Sequence, residues 1–430
     1  MNVRGRIVKF AATLFAIAVL SNSALFADTE IWHYWLSGGE KDAINALMDV
    51  VKQENPGMTF NAREIPGAST EMRRQLGSAI LAGNPPEVYH AGLGLDLKSY
   101  VDAGHLRTLD DVWAKLNGDK IFNPGLQKIV KVNGHVYAIP MNTHVVTHIF
   151  YNKKIFDKLG LKPPKNAEEF LKVSAVLKKN KIEPLAAAAK AGGTIYHIYP
   201  IFIDVLGTDG YMALGNGSLS WKDPKVRKAF EEYRKTFVSQ YMFGWSGYGW
   251  AEAANEMMKG NVAMYMNGDW VVSYFENAGW KSGVDFDFFP APGTQNTIVV
   301  QVDGLASPKE SKDEKGAKAL LLSAAGTAGQ AAFNRYKGSV AANLTVKPDI
   351  YKGVMKATYD RIQAISKSGT MLPNLAVMLP PPLWSELKTQ VETFALKSDD
   401  ATLDKALNAL ETIRLEQLEK KAFANWSGMN

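Results

Sequence analysis

The fold is decided by the stretch Glu30-Ile31-Trp32-His33-Tyr34-Trp35, which is followed by Ser37-Gly38-Gly39 and a long amphipathic segment. Residues 30–35 predict a β-strand that ends at the glycines. The helix predicted from about residue 40 has apolar residues at positions i, i+3, i+4 and i+7, which form one stripe. These residues are Ile44, Leu47, Met48 and Val51. A strand that leads into a helix with one apolar face is typical of an α/β protein.

The same strand-and-helix pattern continues along the chain. Asn55-Pro56-Gly57 ends the first helix, and Met58–Glu64 predicts a second strand. Glu71–Ala82 predicts a second amphipathic helix, and Val88-Tyr89 a third strand. This order predicts right-handed crossovers and a parallel sheet covered by helices.

Alternating elements are also predicted further along. Asn133-Gly134 predicts a hairpin turn between strands at Lys128–Val132 and His135–Ile139. Further strands are predicted at Thr147–Tyr151, Val262–Met266 and Thr297–Val302, and helices at Ala167–Lys179, Val226–Ser239, Ala251–Lys259 and Leu403–Lys421.

The first 27 residues predict a secretory signal peptide. Arg4, Arg6 and Lys9 precede the largely apolar run Phe10–Leu20, and a small polar segment ends at Ala27. The apolar run is shorter than the roughly 20 residues that a membrane-spanning helix needs. We therefore expect cleavage after Ala27 and a mature protein exported to the periplasm.

Composition excludes several classes of protein. The chain has 430 residues with 46% hydrophobic and 21% charged residues, which is ordinary for a globular protein and too long for one small domain. It has no Cys, so disulfide scaffolds, thiolate metal sites and Cys nucleophiles are excluded. Without the predicted signal peptide the net charge falls from +6 to +3, and the basic residues are scattered. A nucleic-acid partner is therefore not expected.

No catalytic or metal-binding motif is present. The chain lacks G-x-S-x-G, the P-loop, G-x-G-x-x-G and H-E-x-x-H. Of the histidines, only His144 and His148 are four residues apart, and the segment between them predicts a strand, which would separate their rings by about 13 Å. We expect no metal and no cofactor. Paired carboxylates for glycoside hydrolysis remain open, because such pairs need not be close in sequence.

Several segments resemble a known family. Trp32–Glu40 is similar to the mature N-terminus of periplasmic sugar-binding proteins of ABC importers (extracellular solute-binding family 1), in the branch that binds glucose and related monosaccharides. The resemblance continues, in the family's order, at the following blocks: Leu81–Pro86, Tyr137–Asn142 with His144, Phe150–Lys153, Lys259–Met264 leading into Gly268-Asp269-Trp270, and Lys337-Gly338-Ser339.

The resemblance implies an α/β, two-lobed periplasmic-binding-protein fold. Each lobe would be a helix-flanked sheet, with the ligand cleft at the hinge. Crossover strands are expected at about Pro140–Thr143 and Val299–Asp303. The N-terminal lobe would then comprise residues 28–141 and 302–345, and the C-terminal lobe residues 142–301 and 346–430.

A sugar site needs aromatic rings for the C–H faces and polar groups for the rim hydroxyls. Each buried rim group left unpaired would cost about 1–3 kcal/mol, so such a pocket can be specific. Carried over from the family, the expected substrate-binding residues are Tyr34, Trp35, Glu40, Tyr89, His144, Trp250, Trp270, Asp303 and Lys337. Structural alternatives stay open, among them a helix-end carboxylate for Glu40, lobe core for either of Trp250 and Trp270, and a turn cap for Asp303.

One departure from the family concerns the identity of the sugar. The glucose-binding branch usually carries a ligand histidine in the C-terminal region, whereas no histidine follows His197 here. The corresponding stretch is about Met371–Met378, where Asn374 could take its place. Tyr34 also stands where the family has Trp.

We therefore expect a non-enzymatic, monomeric solute-binding component of an ABC importer. It would capture a sugar, most simply a monosaccharide such as glucose or a relative, and deliver it to permease subunits in the inner membrane. The alternatives are an exported carbohydrate-active hydrolase and a binding protein for a non-sugar polar solute.

Overall fold

The computed structural model describes residues 28–426, so the predicted signal peptide lies outside the described residues. In this part of the chain the β-strands, β1 to β15 in order, are Thr29–His33, Phe60–Glu64, Val88–Ala91, Lys131–Val132, His135–Val136, Ala138–Pro140, Asn142–Val145, His148–Asn152, Glu183–Ala186, Val262–Asn267, Phe286–Pro290, Thr297–Gln301, Gly304–Ala306, Val340–Ala341 and Thr370–Pro373.

The α-helices of the same region are numbered α1 to α18. They are Gly39–Glu54, Ala68–Leu81, Leu95–Asp102, Asp110–Leu116, Gly118–Ile121, Pro124–Val130, Lys153–Lys158, Ala167–Lys179, Tyr199–Gly215, Pro224–Thr236, Trp250–Met258, Trp270–Asn277, Glu314–Ala325, Thr327–Lys337, Gly353–Ser368, Leu375–Met378, Pro381–Lys397 and Asp400–Glu419. Among the described residues, none of these helices combines the length and apolar character that a membrane crossing requires.

The N-terminal lobe is built on a five-stranded sheet in the order β2-β1-β3-β13-β6. Its first three strands are parallel, as the alternating pattern predicts, and β13 runs antiparallel to both of its neighbours. The predicted apolar stripe of α1 is buried, and α1 packs against α13 and α14. Two helices from much later in the chain therefore complete this lobe.

The C-terminal lobe is built on a second sheet, in the order β11-β8-β10-β9. β10 pairs parallel with β9 and antiparallel with β8. All six residues of β10 are buried, which fits a central strand covered on both faces. Helices α8 and α11 pack against β9 and β10.

A third sheet, in the order β14-β7-β12-β15, connects the lobes. The chain leaves the N-terminal sheet at Met141, between β6 and β7, and returns to it between β12 and β13. The backbone N–H of Met141 donates to the carbonyl of Asp303 at 2.8 Å, so these two crossings are hydrogen-bonded to each other. The two-lobed fold is confirmed, whereas the exact lobe boundaries stay a prediction.

One predicted strand is wrong. Most of Lys128–Val132 belongs to helix α6, and only Lys131–Val132 pairs with His135–Val136 in the expected hairpin. Asn123 caps this helix by accepting from the N–H of Gly125, and Pro124 occupies its first turn. These start signals outweigh the β-propensity of the segment.

Candidate functional site

Six polar side chains meet where the connecting sheet joins the two lobes. They come from the two hinge crossings, from the first turn of α1, from the last turn of α14 and from the residue before α12. All but one of them are buried. We call this set the hinge cluster, and it consists of Glu40, Asn142, His144, Asp269, Asp303 and Lys337.

Asp303 is the centre of the hinge cluster. Its Oδ2 accepts from Asn142 Nδ2 at 2.8 Å and from Trp35 Nε1 at 3.3 Å, and its Oδ1 lies 3.2 Å from His90 Nε2. Burial acts to raise the pKa of this carboxyl, but the charge of Lys337 and the bonds from neighbouring histidines hold it well below its usual range. Asp303 is therefore a charged acceptor and not a proton donor at neutral pH.

Lys337 supplies the balancing positive charge. Its Nζ lies 2.9 Å from Glu40 Oε1, 3.8 Å from Asp303 Oδ2 and 3.3 Å from His144 Nε2. Burial acts to lower the pKa of Lys337, but the two carboxylates outweigh it and raise the pKa. Lys337 is the last residue of α14. The next residue, Gly338, adopts φ +71° and allows the chain to turn into the hinge.

His144 connects the hinge strand β7 to the C-terminal lobe. Its Nδ1 contacts Asp269, whose other oxygen accepts from the N–H of Val145 at 3.0 Å. Burial and the charge of Lys337 act to lower the pKa of His144, and the carboxylates of Asp269 and Asp303 outweigh them and raise it. The rings of His144 and Trp270 lie nearly perpendicular to each other, with their centroids 5.1 Å apart.

Aromatic side chains from both lobes border the hinge cluster. In the N-terminal lobe Tyr34 stacks on His90 at 3.9 Å, and His90 stacks on Trp35 at 4.3 Å. In the C-terminal lobe Tyr196 lies 5.7 Å from Trp270. Tyr34 and Tyr196 are each only partly buried, so both present polar and aromatic surface.

Amides extend this border in the C-terminal lobe. Tyr196 Oη donates to Gln301 Oε1 at 3.1 Å, and Asn374 Nδ2 donates to the same oxygen at 3.0 Å. Asn374 also accepts from Tyr199 Oη at 2.6 Å. Tyr196 and Gln301 are partly exposed, so they add a hydroxyl and an amide to the charged groups here, as a ligand rich in hydroxyls requires.

The two lobes touch on either side of this site. On one side Asn277 Nδ2 donates to Asp42 at 3.0 Å, and Ser273 Oγ donates to the carbonyl of Lys337 at 3.3 Å. On the other side Gly94 lies against Val377, so closely that a Cβ at position 94 would fall 2.2 Å from the Val377 carbonyl oxygen. The structure is therefore a closed arrangement.

The structure brings most of the predicted site residues together. Glu40, His144, Asp303 and Lys337 belong to the hinge cluster, and Trp270 contacts it. Trp35 is bonded to it but is 1% exposed, with its ring stacked on those of His33 and His90 and packed against Phe333. Tyr34 borders it through His90. These seven residues thus share one region.

Two predicted residues lie apart from the hinge cluster. Tyr89 is buried on β3, packs against Tyr100 at 6.3 Å and lines, with Tyr34 and His90, a small cavity beside the hinge cluster, but it contacts none of the cluster's six side chains among the described contacts. Trp250 packs against Tyr274 at 5.2 Å and has no ring contact with His144 or Trp270 among the described contacts. The carbonyl of Trp250 accepts from Tyr265 Oη at 3.0 Å.

Sequence reasoning missed several members of the site. His90 directly follows Tyr89 on β3. Side chains alternate along a strand, so His90 is the residue that faces the hinge cluster, whereas the sequence analysis had selected Tyr89. Asp269 lies inside the motif Gly268-Asp269-Trp270, but only its tryptophan was assigned a role. Tyr196 and Gln301 have no local pattern that could have singled them out.

The described residues contain no group of three or more His, Asp and Glu side chains arranged to hold a metal ion. The charged groups of the hinge cluster instead bind one another. Its carboxylates accept hydrogen bonds, and its lysine donates them. The arrangement fits a site that binds a polar, uncharged ring through many hydrogen bonds.

The fold and this cleft define a two-lobed binding protein. The chain matches the family model for bacterial extracellular solute-binding proteins over residues 37–331. It belongs to that family, as the resemblance in the N-terminal segment implies.

Similar proteins agree with this placement. A probable sugar-binding periplasmic protein of Rhizobium meliloti (strain 1021) is 31% identical over 384 residues, covering 86% of this chain and 89% of the relative. A solved structure of the bacterial solute receptor AcbH, described as having an exclusive preference for β-D-galactopyranose, superposes with a TM-score of 0.79 at 21% identity, over 92% of this chain and 99% of that one. A chitin oligosaccharide binding protein superposes with a TM-score of 0.78 at 20% identity, over 91% and 98% of the two chains.

Proposed function

We propose that this chain is the sugar-capturing component of an ABC importer. In this proposal a monosaccharide such as glucose or a relative binds in the cleft between the lobes. The lobes close around it by rotation at the connecting sheet. The closed protein, working as a monomer in the periplasm, then delivers the sugar to permease subunits in the inner membrane.

The observation that carries this proposal is the pair formed by Asp303 and Lys337 beside aromatic surface. Asp303 offers a charged acceptor and Lys337 a charged donor, 3.8 Å apart, and Trp270 lies within 5.8 Å of the lysine nitrogen. Sugar hydroxyls both donate and accept, so one hydroxyl pair can use both charges while the ring lies against an aromatic face. Each hydrogen bond to a charged group contributes about 1.5–3 kcal/mol.

The same geometry favours binding over hydrolysis. A glycosidase needs one carboxylic acid that is protonated near neutral pH. Lys337 and the histidines keep the pKa of Asp303 low, so Asp303 stays ionised and is unsuited to act as that acid. Both oxygens of Asp269 are engaged, by His144 and by the N–H of Val145.

Tryptophan fluorescence during titration with monosaccharides, disaccharides and polyols tests the proposal. The mature chain should respond saturably to one aldose at micromolar concentration. Trp270→Ala should lose this response. Trp113→Phe is the matched control, because Trp113 packs against Phe122 in the N-terminal lobe away from the hinge cluster and should leave the affinity unchanged.

The outcomes separate the competing functions. Release of reducing sugar from an oligosaccharide would favour the hydrolase. Binding of charged solutes without any response to sugars, with calorimetry as a second detector, would favour a non-sugar polar solute. Either result would overturn the proposal.

A further inference from the structure

A cavity lies behind the hinge, on the face of the connecting sheet opposite to the hinge cluster. Its volume is about 370 Å³, which is within the range of small-molecule sites. Thr143 of β7 lines this cavity, whereas its neighbours Asn142 and His144 belong to the hinge cluster. Val300 and Val302 also line it, and side chains alternate along a strand. One layer of β-sheet therefore separates the cavity from the hinge cluster.

The two side walls of this cavity belong to different lobes. One wall is helix α6, whose residue Ile129 accepts a hydrogen bond through its carbonyl from the N–H of Gly94 in the N-terminal lobe, at 2.9 Å. The other wall is helix α15, which contributes Ile365. Its residue Val354 donates through its N–H to Ser282 Oγ of the C-terminal lobe at 2.6 Å. The cavity is thus a gap between the lobes, and the connecting sheet is its floor.

The chemistry of the lining is neutral and mostly apolar. None of the described residues that line the cavity is charged. Thr143 is only 6% exposed, and its hydroxyl has no hydrogen-bond partner among the described residues. A hydroxyl can both donate and accept, and a buried polar group without a partner is costly. The lining therefore favours an uncharged molecule that places one hydrogen-bonding group at Thr143 and apolar surface against the valines and isoleucines.

We infer that this cavity is a second binding site, for a neutral and largely apolar small molecule that carries one hydroxyl, such as an aromatic or alicyclic alcohol. We also infer that its occupancy is coupled to sugar binding. The inference rests on the proposed function, because the coupling uses the closing rotation of the lobes. A carboxylate or an ammonium group would be excluded, since the described lining offers no charge to balance it.

The coupling follows from the position of the cavity. The lobes rotate about the connecting sheet, so the rotation that brings them together at the hinge cluster moves α6 and α15 apart on the opposite face. A molecule seated between these helices opposes their approach and thereby stabilises the closed form. It should therefore tighten sugar binding, and the sugar should tighten its binding by the same factor.

The first test is an NMR titration of the mature chain, without sugar, with three probes of similar size. These are benzyl alcohol, toluene, which lacks the hydroxyl, and benzoate, which is charged. Benzyl alcohol should bind saturably and give NOEs to the methyl groups of Ile365. Toluene should bind at least about threefold more weakly, which corresponds to the loss of one net hydrogen bond, and benzoate should give no such NOEs.

Thr143→Val is the variant that isolates the hydroxyl. It keeps the shape of the side chain, so it should lower the affinity for benzyl alcohol to that for toluene and leave toluene binding unchanged. Thr389→Val is the matched control, because Thr389 is exposed on α17, and it should change neither affinity. Benzyl alcohol without NOEs to Ile365, equal binding of benzoate, or equal binding of benzyl alcohol by Thr143→Val would overturn the inference.

The second test is calorimetry with the monosaccharide panel in the presence and absence of saturating benzyl alcohol. Sugar affinity should rise at least about threefold with benzyl alcohol and stay unchanged with benzoate. Val300→Phe fills the cavity, so it should abolish benzyl alcohol binding and raise sugar affinity without any probe. Sugar affinity that benzyl alcohol does not change would overturn the coupling and leave the proposed function standing. If no monosaccharide binds while benzyl alcohol still contacts Ile365, the proposed function fails and the second site stands.

Discussion

Replacing Asp303 by Asn tests the hinge cluster most sharply. The substitution keeps the size of the side chain and removes its charge. Three donors, from Trp35, Asn142 and His90, would then face an amide, and Lys337 would lose one of its two carboxylate neighbours. We expect both weaker sugar binding and lower stability.

The size of the stability loss follows from the geometry. Two unit charges 3.8 Å apart attract by about 4 kcal/mol at an effective dielectric constant near 20. Glu40 remains 2.9 Å from Lys337 and keeps part of the compensation. Removing one member of a buried ion pair costs about 3–5 kcal/mol in general, and we expect Asp303→Asn to lie in that range.

Urea denaturation at pH 7 measures this loss, in a double-mutant cycle with Lys337→Met. The coupling energy should be about 2 kcal/mol or more, because each single variant leaves a charge without its partner. Asp102→Asn is a matched control, since Asp102 forms an exposed pair with Lys98 and should change stability by less than about 1 kcal/mol. A loss below about 1 kcal/mol for Asp303→Asn, or coupling near zero, would refute the electrostatic role given to this pair.

Three further predictions concern other parts of the molecule. A Cβ at Gly268 would fall 2.0 Å from the Trp270 ring, so Gly268→Ala should displace the indole. Calorimetry should then show sugar binding weakened at least tenfold, and an unchanged affinity would exclude Trp270 from the site. Burial lowers the pKa of His197 to about 4, so below pH 6.5 the unfolded state binds more protons than the folded state, and the free energy of unfolding should fall by up to about 3 kcal/mol between pH 6.5 and pH 4. Denaturant melts of His197→Gln should show a smaller decrease over this pH range, and a decrease as large as that of the unmodified chain would contradict the prediction. Asn277→Asp places a second carboxylate against Asp42 where the lobes touch, so it should open the closed form and weaken sugar binding a few-fold in low salt; an unchanged affinity would argue that this contact does not take part in closure.

The elements of the fold could be predicted because they depend on local patterns. The apolar stripe of α1, the break at Asn55-Pro56-Gly57 and the buried run Val262–Met266 each specify their element over a few residues. The error at Lys128–Val132 came from a short segment in which helix capping by Asn123 competed with strand propensity. Pairings such as β13 with β3 and β6 join residues far apart in sequence, and no local pattern contains them.

Members of the candidate site could be predicted where a residue ends a helix inside a recognised motif or lies at an expected crossover. Asp303 and Lys337 are such residues, and both were expected to bind ligand. His90, Tyr196 and Gln301 reach the cleft only through the pairing and packing of elements from different parts of the chain.

The central claim is that a sugar binds at the hinge cluster between the lobes. Its most direct test is calorimetric titration of the mature chain and of Asp303→Asn with a panel of monosaccharides. One sugar per chain at micromolar affinity or tighter, lost by at least a hundredfold in Asp303→Asn while the variant still unfolds cooperatively, is the predicted result. Binding of equal strength in the variant, or no binding of any sugar to the intact chain, would contradict the claim.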